Sequence, residues 1–200
     1  MHNLPVPSGP ASLRLSTRRS ASKTAVRPAT RTDVVQIWEL VSQYAAQGLM
    51  LPRTTDDIAS RIDSYVVAKD ASGKVIACAA LEEYCPSLAE VSSVAVASGH
   101  HGKGLGTQVV LGVERLARAR DIDELFAMSL TDDFFLALSY TPTTISRYPE
   151  KLARYEALSK SGVEIIPKRC FQKLLDKSWS APRLVEQVSE KTTHKKRMVG

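Results

Sequence analysis

His100-His101-Gly102-Lys103-Gly104-Leu105-Gly106-Thr107 stands between an apolar run, Ala89–Val96, and a segment in which Leu105, Val109, Val113 and Leu116 share one helical face. Glycines let a backbone turn tightly and approach a ligand closely. The first N–H groups of a helix have no partner within the helix, and the helix dipole adds partial positive charge there. A glycine turn feeding a helix is therefore a seat for a pyrophosphate, with Lys103 able to add charge at its rim. A purely structural glycine turn is the plainer alternative.

Two familiar phosphate patterns fit poorly. A Walker loop needs a glycine five residues before Gly102, where Ala97 stands, and Ser or Thr after Lys103, where Gly104 stands. A dinucleotide fingerprint belongs tight against the first strand of its sheet. Here the turn follows a fourth strand, and Val109 occupies the place of the last glycine.

Working outward, order is expected from Thr24, with residues 1–22 a disordered basic extension, 23–176 one domain and 177–200 a flexible basic tail. Ala25-Val26-Arg27 reads as a short strand. Thr30 and Asp33 form a capping-box variant before Val34, Ile37, Trp38 and Val41, one helical face. Thr54 caps a second helix carrying Ile58 and Ile62. Tyr65–Lys69, Lys74–Glu83 and Ala89–Val96 read as three hairpin-linked strands. After the turn and its helix come a strand at Asp123–Ser129, a short helix through Phe134, Phe135 and Leu138, a helix at Pro149–Lys160, and a last strand within Ile165–Leu175. That order is a mixed α/β single domain.

Composition bounds the function. The 200 residues are 44% hydrophobic and 24% charged, an ordinary globular balance. No apolar run approaches the roughly 18–20 residues that span a bilayer. Three cysteines without regular spacing argue for a reducing compartment rather than a disulfide framework. The net charge of +6 sits on the ends: residues 1–31 carry Arg14, Arg18, Arg19, Lys23, Arg27 and Arg31 with no acid, and Lys191, Lys195, Lys196 and Arg197 lie near the other end. Solvated ends explain this better than nucleic-acid binding. The Arg/Ser-rich start also has the look of a transit peptide, but a cytoplasmic location is expected. His100 and His101, without a carboxylate cluster, are poor metal spacing, so no metal is expected.

His101-Gly102-Lys103-Gly104-Leu105-Gly106 resembles the [Q/R]xxGx[G/A] turn of the GNAT acetyltransferases, with His101 where Gln or Arg would stand. The element order also resembles theirs, over roughly Thr24 to Leu175. The resemblance implies a mostly antiparallel mixed sheet flanked by helices and splayed between its fourth and fifth strands. It implies acetyl-CoA as co-substrate, held by Val94, Ala95 and Val96 along the strand, by His101, Gly102, Lys103, Gly104, Leu105, Gly106 and Thr107 at the turn, and by Phe135. Phe135 stands where many of these enzymes place a tyrosine to protonate the leaving thiolate, so no general acid is assigned; Ser129 and Tyr140 are weaker candidates.

Within that family, Gly48–Arg53, Ile76–Leu81, Ala89–Val96 and the stretch from Phe126 through Phe135 to Ser139-Tyr140 resemble stand-alone N-acetylglutamate synthase domains. The likeness implies acetylation of the glutamate α-amine, the first step of arginine synthesis; another small amine or a protein N-terminus is the alternative acceptor. A homodimer is one expected assembly; membrane and nucleic-acid partners are not expected. An amino-acid acceptor needs a cation for its carboxylate, and arginine binds carboxylate bidentately. Arg53 is the candidate, beside Leu51, against the alternative of a surface arginine. Lys168 and Arg169 are candidates for a second carboxylate. The attacking amine must lose a proton, commonly to a carboxylate acting through water. Glu90 is the first choice, then Glu82 and Glu83, of which only one can face the cleft. Each could equally be a plain strand-end carboxylate.

Overall fold

The protein is described here by a computed structural model covering residues 24–176. The extension expected over 1–22 and the tail expected over 177–200 lie outside the described residues. The chain runs β1 (Val26–Pro28), α1 (Val34–Ala45), α2 (Thr55–Ser60), β2 (Tyr65–Lys69), β3 (Val75–Cys85), β4 (Leu88–Val96), α3 (Leu105–Ala119), β5 (Glu124–Ser129), α4 (Asp132–Leu136), β6 (Thr141–Thr143), α5 (Pro149–Lys160) and β7 (Arg169–Leu174). The sheet order is β1-β2-β3-β4-β5-β7-β6. β6 was not anticipated. Thr-Pro-Thr is short, and proline cannot donate to a ladder, so it serves only as the outer edge beside β7.

Both faces of the sheet are covered, and β3 shows how. Ala77, Ala79 and Leu81 pack toward Val109, Val110, Val113 and Ala117 of α3. Cys78 and Ala80 pack toward Ile37 and Val41 of α1 and Ile58 of α2. Small residues on successive sides let helices close on both faces, which explains the near-continuous apolar run. Thr30 N–H donates to Asp33 at 2.9 Å, and Thr54 exchanges bonds with Asp57, so both predicted caps form. Burial would raise the Asp33 carboxyl, but Lys69 and Arg27 hold it well below the ordinary carboxylate range. On α3, a Cβ at Gly112 would come within 2.8 Å of Val26 Cγ1 and 3.3 Å of Val66 Cγ2, so the bare helix face lies directly on β1 and β2.

Two departures from regularity position the cleft. β4 pairs β5 in parallel only from Leu88 to Glu90, opposite Glu124 to Phe126. Beyond Glu90, β4 stays with β3 while β5 continues on β7. The sheet is thereby split between its fourth and fifth strands. Meanwhile Cys78 pairs with Ala95 and Ala80 with Ser92, which leaves one extra residue on β4. That bulge carries Ser93 at φ 51, a left-handed conformation uncommon for a non-glycine residue.

Candidate active site

The split sheet opens into a cleft of about 780 Å³ that runs along β4 from Glu90 to the glycine turn. At the turn, Gly102 and Gly104 sit at φ +72 and +73, where any side chain would be strained. A Cβ at either would meet nothing within 4 Å, so the turn faces open space. Gly104 is the N-cap of α3 and accepts the first helical bond from Gln108 N–H. The N–H groups of the next residues therefore lack helical partners and point off the end of the helix. Gly106 is closed in: a Cβ there would lie 3.3 Å from Phe134. Lys103 Nζ donates to Gly99 O at 2.8 Å, tying the turn to itself.

The turn end of the cleft is lined by Val94, Val96, His101, Gly106, Phe134 and Phe135. Ala97 N–H donates to Ile76 O, so the backbone groups of Val96 turn away from β3 toward the cleft. They already have partners. Tyr44 Oη donates to Val96 O at 2.5 Å, and Val96 N–H lies 3.3 Å from the same hydroxyl. His101 Nε2 lies 2.8 Å from Val96 O and 3.0 Å from Tyr44 Oη. Ala95 pairs with Cys78 on β3, with its side chain in the core under α1 and α2. Leu105 is buried beneath α3, and Thr107 is half-buried on its first turn. Phe135 stacks on Phe171, with centroids 5.8 Å apart.

The other end is lined by Leu51, Arg53, Glu90, Lys151, Tyr155 and Lys168. Glu90 is buried, with both carboxylate oxygens 2.8 Å from Lys151 Nζ. Tyr84 Oη donates to it at 2.9 Å. Glu82 lies directly opposite Glu90 across the β3–β4 ladder. It is paired to Arg53 at 2.6 Å, to Arg61 at 3.1 Å and to Arg154. Burial alone would raise its carboxyl, but Arg53 and Arg154 bring it down to about 2. Glu83 points elsewhere, to Arg120 at the end of α3. Lys168 Nζ donates to Leu49 O at 2.7 Å, and burial beside Lys151 lowers its tendency to hold a proton. Arg169 is exposed and paired with Asp132, away from the cleft lining.

Of the carboxylates weighed as proton acceptors, Glu90 lines the cleft, whereas Glu82 and Glu83 do not. Ser129 lines it, with Oγ donating to Thr131 O at 2.9 Å. Tyr140 is buried against Phe135, and burial together with Glu114 pushes its hydroxyl well above the usual range. The sequence reading missed Lys151, Arg154 and Tyr155. Their i, i+3, i+4 spacing puts them on one face of α5, a signal that was available in Pro149–Lys160. It also missed Tyr44, which reaches Val96 across 52 residues of chain. Among the described residues no group of three His, Cys, Asp or Glu could hold a metal ion, and no helix is long and apolar enough to cross a membrane.

Residues 32–135 match the model of the acetyltransferase (GNAT) family. An uncharacterized N-acetyltransferase of Chlorobaculum tepidum is 33% identical over 134 residues, which are 67% of this chain and 86% of that one. An amino-acid acetyltransferase of Mycobacterium tuberculosis is 28% identical over 141 residues, 67% of this chain and 80% of that one. Longer amino-acid acetyltransferases also match, but the chain spans only about a third of them, 32% for that of Ectopseudomonas mendocina. A crystal structure of an M. tuberculosis protein in complex with CoA superposes with a TM-score of 0.65 at 26% identity, over 76% of this chain and 99% of that one.

Proposed function

Since the chain belongs to the GNAT acetyltransferase family, we propose that it carries acetyl from acetyl-CoA to the α-amine of an amino acid, with L-glutamate the preferred acceptor. That reaction would be the acetylation that opens arginine synthesis. The residues at the turn suit the co-substrate. Unpaired N–H groups at the start of α3 take the pyrophosphate. The cleft-facing backbone of Val94 and Val96 takes the pantetheine arm as an added strand, which requires Tyr44 and His101 to release Val96.

The observation that carries the acceptor reading is the charge at the far end. Arg53, Lys151 and Lys168 line that end with Glu90, and Glu82 behind them is held by Arg53, Arg61 and Arg154. Three cations against one carboxylate leave a positive field at this end, which suits an acceptor with two carboxylates of its own. Among the described residues Lys168 has no carboxylate at ion-pair distance, and Arg53 uses one guanidinium nitrogen on Glu82. Both therefore have donors to spare. Glu90 takes the proton of the attacking amine through water, and Lys151 and Tyr84 fix its orientation. The amine nitrogen bonds to the acetyl carbon, the carbon–sulfur bond breaks, and the departing thiolate takes up, through solvent, the proton that the nitrogen sheds as it becomes an amide. A thiol with an intrinsic pKa of ~8.5 leaves without an assigned acid.

The test is CoA release from acetyl-CoA across a panel of amino acids. Glutamate should give the highest kcat/KM, ahead of aspartate, glutamine and the apolar amino acids. A preference for amines that carry no carboxylate would reject the acceptor assignment.

A further inference from the structure

We propose that Ser92 receives a hydrogen bond from the acceptor's amine and turns that nitrogen's lone pair toward the acetyl carbon. The inference rests on the acetyl-transfer reading of this cleft and adds a contact to it. Ser92 lines the cleft, yet its hydroxyl oxygen is buried from water and has no hydrogen-bond partner. A buried hydroxyl without a partner is a cost to the free protein. Directly across the ladder stands Ala80, which has no polar side-chain atom.

Position narrows the partner. Ser92 shares a strand face with Glu90, two residues back, so the two lie roughly 7 Å apart along β4. It is also the last residue before the bulge at Ser93, beyond which Val94 and Val96 line the turn end of the cleft. Ser92 thus stands at the boundary between the charged end and the strand edge that takes the arm. The reacting nitrogen has to reach a proton acceptor on one side and the thioester on the other, and this boundary lies between the two. A neutral amine that gives one N–H to Ser92 Oγ and another toward Glu90 keeps its lone pair free for carbon. The serine itself neither gains nor loses a proton.

Ser92→Ala and Ser92→Thr test the contact in the full chain. For Ser92→Ala, the acceptor kcat/KM should fall about tenfold, with acetyl-CoA affinity by calorimetry changed less than about twofold. The thermal midpoint should hold or rise, because the substitution removes a partnerless buried oxygen. Ser92→Thr keeps the hydroxyl and should recover most of the lost rate. An unchanged kcat/KM in Ser92→Ala would overturn the proposal. So would a fall in activity accompanied by a lowered midpoint, which marks a structural hydroxyl. A wild-type protein that transfers no acetyl to any amino acid would instead overturn the underlying reading, before any substitution is made.

Discussion

The two ends of the cleft are built on opposite principles. The glycine turn is local: seven or eight consecutive residues make it, its donors are backbone N–H groups, and nothing stands within 4 Å of the missing side chains at Gly102 and Gly104. The charged end is assembled from afar. Arg53, Glu82, Glu90, Lys151 and Lys168 come from two loops, two strands and a helix, and their side chains are paired before any acceptor arrives. In the proposed function the first end therefore recognises by backbone shape and tolerates few side chains. There the second would recognise by charge, and each substitution disturbs a network.

The largest effect should come from crowding the bare end. Gly104→Glu introduces a carboxylate and a side chain at φ +73, where anion binding is expected. Acetyl-CoA affinity should fall by more than about a hundredfold while circular dichroism keeps its shape. Retained affinity would erase the distinction between the ends. At the charged end, Arg53→Ala should raise the acceptor KM by about tenfold, with the acetyl-CoA KM changed little. Equal changes in both constants would mean that Arg53 only holds Glu82.

Much of this contrast could be read in advance, and the reason is the same contrast. Left-handed backbone leaves glycines behind as a trace in one short stretch, so the turn and its helix were legible. β2 and α5 were also legible to the residue, because each has a clean start signal, the hairpin partner for one and Pro149 for the other. The charged end was only half visible. Arg53, Glu90 and Lys168 stood out as types, but Lys151 lies 61 residues from Glu90, and helical periodicity does not say what a helix face will meet. Arg169 illustrates the limit: it neighbours Lys168, but strand alternation sends it outward to Asp132.

A smaller effect would sharpen the comparison at the turn end. Tyr44→Phe removes the hydroxyl that covers Val96 N–H and O. If that cover has to open for the arm, acetyl-CoA should bind roughly fivefold tighter, the worth of about 1 kcal/mol. Weaker binding would recast Tyr44 as a contact for the ligand. A last effect concerns acid stability. The Glu82 carboxyl is lowered from 4.5 to about 2, so it stabilises the fold above pH 4.5 and loses that contribution as pH falls toward 2. Glu82→Gln should flatten the stability profile between those values in pH-dependent denaturant titrations, and an unaltered slope would place the acid sensitivity elsewhere.

The close seating of Gly112 on Val26 has a mechanical corollary. β1, the edge strand beside β2, is a wedge under the middle of α3, so it acts as the shim that sets that helix's pitch. Filling the gap between helix and shim, as Gly112→Ala would, should tilt the tip of α3 by leverage and, on the proposed reading, weaken acetyl-CoA binding, though no altered atom touches the ligand.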